Sequence, residues 1–132
     1  MSTSVYSSEQ LLKWLFTTAA MGTRPTAWYV ALHTGDPSAD GSTNELTDAN
    51  YARQSVGFTA AQGTTLWEVT NDADVVFPAA GAAYTAGHVT VWDSQTGGNM
   101  LARMELPLAR SISPGGVFTV PAGELVIKGE GS

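Results

Sequence analysis

From Pro25 onward the chain is punctuated too often to hold a long helix. Gly, Pro, Asn and Asp clusters recur throughout, and the runs between them stay under about ten residues. Those runs are rich in β-branched, aromatic and aliphatic residues, which suit a pleated, half-buried surface. They predict strands over Thr26–His33, Tyr51–Ala60, Thr64–Thr70, Asp74–Phe77, His88–Asp93, Met100–Leu106, Val117–Val120 and Leu125–Lys128. In the second of these, Ala52, Gln54, Val56 and Phe58 fall on alternating positions. About eight short strands at close spacing predict an all-β fold, a single-domain β-sandwich or jelly roll. Ser94–Asn99 (SQTGGN) is expected to close a hairpin on positive-φ glycines. Ser113–Gly116 and Pro121–Gly123 are expected to turn the chain again, and Ala79–Gly87 reads as a loop.

One segment ahead of Pro25 breaks this pattern. Ser8–Met21 reads as a helix, with Ser7 and Gln10 as a capping box and Gly22 as its C-terminal stop. Leu11, Leu12, Trp14, Leu15 and Phe16 give it a broad apolar face. A helix this short needs a surface to dock on. The default expectation is its own domain; a neighbouring subunit is the alternative. Residues 1–22 form the arm and helix, residues 23–132 the β domain.

Length and charge limit the function classes. One domain fits 132 residues, and the absence of cysteine excludes disulfides and thiolate metal sites. Twelve acidic and six basic residues leave a net charge of −6, which repels phosphate backbones and anionic lipid. Neither nucleic acid nor membrane is an expected partner. The opening MSTSVYSSEQ has no basic, apolar leader, and no apolar run reaches about 18 residues. Only 14% of residues are charged, and a surface of small neutral residues suits contact with other protein.

Candidate chemical sites are weak. Asp36, Ser38, Asp40 and Gly41 occupy the first, third, fifth and sixth positions of a calcium loop, but the twelfth, which needs a bidentate Glu, is Thr47. Asx-turns are the preferred reading of Gly35–Asn50. His33 and His88 sit at expected strand ends and show no metal spacing; each is expected to face solvent or a turn carbonyl. Paired carboxylates for glycoside cleavage would have to come from Glu68, Asp72 and Asp74, but Asn71–Asp74 reads as a polar turn. No serine lies in a nucleophile elbow, and no phosphate-binding glycine loop is present. No enzyme activity and no cofactor are therefore expected. Trp28 and Trp92 lie within apolar strands and are expected in the core, whereas Trp67 is a candidate for an exposed glycan-stacking face. Arg53, Arg103 and Arg110 are scattered, and are expected to pair across a subunit contact or to stay in solvent.

Taken in order, several motifs resemble small structural proteins of tailed phages, described as tail-fibre proteins or as head decoration or cement proteins. Trp28–Pro37 (WYVALHTGDP) resembles their LYVALHTGDP segment, Tyr51–Gln54 their GYARQ, and Val75–Ala80 their VTFPAA. Trp92–Ser94 with Thr96–Asn99 and Leu101 resembles their hairpin, and Phe118 with Ala122, Gly123 and Leu125 their closing stretch. The resemblance implies a virion component assembled in the host cytoplasm, without catalysis. A chain with no repeats or heptads fits a lattice-bound unit, so the first expectation is a cement protein binding across neighbouring major capsid protein subunits as a homo-dimer or homo-trimer. Met1–Ser7 or the Gly35–Asn50 loop would then serve as an arm. The alternative is a tail fibre or tail module that binds host surface or glycan. The expected interface residues are Leu11, Trp14, Leu15, Trp67 and Arg53.

Overall fold

The computed structural model describes residues 1–64 and 66–129. Among them are ten strands and one helix: β1 (Ser2–Thr3), α1 (Val5–Phe16), β2 (Trp28–His33), β3 (Gln54–Val56), β4 (Phe58–Gln62), β5 (Trp67–Asn71), β6 (Val75–Val76), β7 (Tyr84–Trp92), β8 (Met100–Ile112), β9 (Thr119–Val120) and β10 (Val126–Lys128). All strand pairs are antiparallel. A five-stranded sheet runs β1-β8-β7-β2-β3, a three-stranded sheet β10-β5-β4, and β6 pairs with β9. The fold is all-β, as the strand pattern predicts.

One core joins the three sheets. Val30, Leu32, Val89 and Leu106 come from the large sheet, Val75 and Val120 from the β6–β9 pair, and Leu125 from the approach to β10. Phe77 sits at its centre, stacked on Tyr51 at 6.1 Å between ring centroids and edge-on to Phe118 at 6.0 Å. β2 explains why a nearly continuous apolar run was needed. Its last four residues are buried because it lies inside the sheet, paired with β7 on one side and β3 on the other.

Several expected boundaries move. The expected strand Tyr51–Ala60 is two strands in two sheets. The chain changes sheets at Gly57, whose carbonyl accepts the Asp72 N–H, and where a Cβ would lie 2.9 Å from the Asp72 carboxylate. β8 runs six residues past the expected Leu106, through Pro107. Proline is tolerated because β1 covers the outer side of β8 only at Ala102 and Arg103, and because residues 106–109 bulge opposite Gly87. β7 begins at Tyr84, inside the expected Ala79–Gly87 loop, by pairing with this extension. The expected strand from Thr64 shortens to Trp67–Asn71, and its Thr65 lies outside the described residues.

The segment Met1–Ser7 is not a free arm. Ser2 and Thr3 pair with Arg103 and Ala102, and the Met1 ammonium donates to the Val126 carbonyl at 2.9 Å. The Ser94–Asn99 hairpin forms as expected, with Gly97 and Gly98 at positive φ.

Candidate functional site

The helix starts earlier and ends sooner than its sequence implies. Ser4 is the N-cap: its Oγ accepts the Ser7 N–H at 3.0 Å, so Ser7 donates to the cap instead of being it. The start is fixed there because the Ser4 N–H donates to the Leu101 carbonyl and Ser4 is buried. Ser7 Oγ donates to the same carbonyl at 2.8 Å, so two bonds clamp the first turn onto β8. At the other end, Thr17 N–H and Oγ–H both donate to the Lys13 carbonyl, and Thr17 takes an extended conformation. A β-branched residue whose hydroxyl bonds the backbone stops the helix one turn before Gly22. Gln10 has a different task from the one expected: its Oε1 accepts the Gly22 N–H and ties the return segment to the helix.

The apolar face of α1 does not dock on its own domain. No residue of the helix is buried. Val5 is 63% exposed, Leu11 46%, Leu12 54%, Trp14 67%, Leu15 51% and Phe16 76%. The reason is the anchor: the domain holds only the first turn, through Leu101 and through the Ala39 carbonyl that accepts the Val5 N–H. The charged side, with Glu9 and Lys13 paired at 2.8 Å, lies away from Leu11 and Leu15. Beside Glu9 opens a groove of about 590 Å³, floored by Trp92 and Met100 and flanked by Asp40 and Arg53.

The other expected interface residues fall elsewhere. Trp67, 61% exposed, opens β5 in the three-stranded sheet, away from the sheet that anchors α1. Arg53 is buried within its own chain. Its Nε and Nη2 donate to the two Glu45 carboxylate oxygens, each at 2.9 Å. Its Nη1 donates to the carbonyls of Ser94 at 2.9 Å and Gly97 at 2.8 Å, and its guanidinium lies 3.8 Å from the centroid of Trp92. Arg53 therefore clasps the Ser94–Asn99 hairpin to the body, and its acidic partner is internal. Tyr51 completes the clasp by donating to Glu45 at 2.7 Å. Burial pushes the Glu45 carboxyl up, but the bonds from Arg53 and Tyr51 outweigh it and hold the group below the usual carboxylate range. Trp92 is buried as expected, while Trp28 is only half-buried at the edge facing β3. Arg103 lies 3.6 Å from Asp36 and Arg110 3.6 Å from Glu124, both pairs within the chain.

Neither histidine sits at a solvent-facing strand end. His33 is fully buried and directly opposite His88 across β2 and β7. Its Nδ1 donates to the Thr43 carbonyl at 2.9 Å, the turn contact the sequence allows. The other contacts are invisible in sequence. Trp92 Nε1–H donates to Thr90 Oγ1 at 2.7 Å, and Thr90 Oγ1–H donates to His33 Nε2 at 2.9 Å. This chain of bonds fits neutral His33. His88 lies mid-strand, with Nδ1 buried and without a hydrogen-bond partner.

The acidic loop folds as Asx-turns. Asp36 Oδ1 accepts the Ser38 N–H at 2.8 Å, Asp40 Oδ1 the Ser42 N–H at 3.1 Å, and Asp48 Oδ2 the Asn50 N–H at 3.1 Å. Asp48 also accepts from the Gly81 and Ala82 N–H groups, which tethers the loop to the segment before β7. In the expected polar turn, Asp74 accepts the Ala122 N–H, and buried Asn71 holds Ala73, Pro121 and Leu125. Among the described residues, no three His, Asp or Glu side chains converge on a common point.

The family model described as "Podophage GP4 fiber I protein gp80" matches residues 2–128. The chain belongs to this family. It is thus a structural protein of the phage fibre type, a component of the virion. No curated protein matches the sequence.

Proposed function

We propose that the chain is a subunit of a fibre on the phage particle, built in through the exposed apolar face of α1. The observation that carries this reading is the mismatch between a well-bonded β body and a helix held only by its first turn. Among the described residues, the body satisfies its buried polar side chains with internal partners, as at Arg53, Thr90 and Asn71, with His88 Nδ1 the exception. The helix leaves six apolar side chains in solvent. An isolated helix of 12 residues is marginal in water, so α1 gains stability from a surface outside its own chain. The fibre description of the family supports a place on the fibre over one on the shell. The role is scaffolding rather than catalysis.

Copy number per purified particle tests this, measured by quantitative mass spectrometry against the major capsid protein. A small number, with labelled antibody decorating the fibres, is the expected result. A number close to that of the major capsid protein would move the chain to the shell lattice as a cement protein and overturn the fibre reading.

A further inference from the structure

We infer that α1 packs, apolar face inward, against α1 of at least two other copies of this chain. The inference rests on the reading of that face as an assembly surface, and it names the occupant. Area is the first argument. Val5, Leu11, Leu12, Trp14, Leu15 and Phe16, exposed by 46 to 76%, present on the order of 700 Å² of apolar surface, close to the about 800 Å² that each partner gives a standard interface.

Charge selects the partner. Residues 1–27 contain Glu9, Lys13 and Arg24 and carry a net +1, so residues 28–132 carry −7 of the total −6. Two β bodies repel each other at short range, whereas two helices do not. The helix is the part of the chain that another copy can approach. Its own charges, Glu9 and Lys13, neutralise each other across one turn and lie off the apolar face.

Geometry sets the minimum number. At about 100° per residue, the series Trp14, Leu11, Leu15, Leu12, Val5, Phe16 spans about 200° of the helix circumference, interrupted only in its first turns by Ser7, which is bonded to Leu101, and by Ser8. A two-helix seam buries a much narrower stripe than this. A face so wide meets two neighbours at once, which makes the bundle three-membered or larger. The anchor suits such a bundle, because Leu101 holds only the first turn and leaves residues 11–16 projecting from the body.

The test uses the full-length chain. Its mass in solution at tens of micromolar, by light scattering, is expected to be at least three times the single-chain 13.8 kDa. The chain has no cysteine, so Leu15→Cys introduces the sole thiol, and mild oxidation is expected to link copies through it. A Thr59→Cys control on the outer strand β4 is expected to link much more slowly. The double variant Leu11→Asp, Leu15→Asp is expected to run as a single chain with an unchanged β-sheet circular dichroism spectrum. A mass of one or two chains for the unaltered protein overturns the inference, as does Leu15→Cys linking no faster than the control. A monomer that is nonetheless found on fibres sinks this inference alone. A trimer or larger assembly that is absent from particles sinks the proposed function alone.

Discussion

Arg53 and Trp92 form a stacked pair at the base of the Ser94–Asn99 hairpin, with the guanidinium 3.8 Å from the ring centroid. The two residues lie on different segments and meet because Glu45 fixes the same guanidinium from the opposite element. Cation–π attraction is strongest where water is excluded, and Arg53 is 7% exposed. The pair joins three loops that the sheets alone leave independent: the acidic loop through Glu45, the segment before β3 through Arg53, and the hairpin through the Ser94 and Gly97 carbonyls.

Arg53→Ala removes this junction and leaves the Glu45 carboxylate half-buried without its cation. Breaking a buried pair from one side costs about 3 kcal/mol. Urea unfolding followed by tryptophan fluorescence is expected to show the midpoint falling by that equivalent. Arg53→Lys restores the charge but cannot supply the fork to both Glu45 oxygens and both carbonyls, so it is expected to recover less than half of the loss.

Thr90→Val keeps the shape of a fully buried side chain and deletes one hydroxyl. That hydroxyl accepts from Trp92 and donates to His33, so the change strands two buried polar groups at once. The expected cost is about 2–3 kcal/mol. Thermal unfolding checks it. A melting temperature within a degree of the unaltered chain would show that the Trp92–Thr90–His33 chain of bonds carries no stability.

Acid is expected to destabilise the fold in two steps. His33 is depressed below its ordinary value by burial, because its charged form loses water; the Thr43 carbonyl and Glu45 oppose this, and His88 and Arg53 add to it. A depressed histidine binds protons more readily when unfolded, so its contribution is complete above the unfolded value and declines as pH falls from about 6.5. Glu45, Asp48 and Asp40 are also depressed, Asp40 to about 2 by the hydroxyls of Ser42 and Ser38. Their contribution is complete above about pH 4.5 and is lost as pH drops through their folded values. Unfolding midpoints measured from pH 8 to 3 are expected to fall throughout, and His33→Gln is expected to flatten the upper step alone.

Gly41→Ala tests the packing of the acidic loop on the body. Gly41 has φ +76°, and a Cβ there would lie 2.6 Å from Trp92 Cζ2 and 2.8 Å from Met100 Sδ. Neither the backbone angle nor the ring has room to yield, so a loss of at least about 2 kcal/mol is expected in the same urea assay. Gly97 shares the positive φ but has open space around its Cβ. Gly97→Asn is expected to cost less than half as much.

Local pattern made part of this structure legible. The apolar run Val30–Leu32 reads as part of a strand and Gly97–Gly98 as part of a hairpin turn, and both are so. What escaped depends on partners distant in sequence. His33 meets Thr90 across 57 positions, and Arg53 meets Ser94 across 41. No local signal distinguishes such residues from solvent-facing ones. The passage of β8 through Pro107 depends on an edge left open by the two-residue β1, and that openness is a property of the assembled sheet. The helix was legible as an apolar face, with docking on its own domain the default expectation and a neighbouring subunit the alternative. Its exposure follows from the Leu101 clamp on Ser4 and Ser7, 94 positions apart in the latter case.

The helix face also separates assembly from folding in the particle. Leu11, Trp14 and Leu15 are exposed and belong to no core cluster, so replacing them is expected to leave the β body intact. Leu11→Asp with Leu15→Asp is expected to change the unfolding free energy by no more than about 0.5 kcal/mol, as for other exposed positions. Phage grown with this variant as the sole source of the protein are expected to carry at least ten-fold fewer copies per particle, while the soluble pool in the lysate stays unchanged. Trp67→Ala is the control, because it removes a large exposed apolar side chain from the three-stranded sheet and leaves α1 untouched. Its copies per particle are expected to match the unaltered chain. Equal incorporation of the double variant would show that the particle holds this protein by another surface.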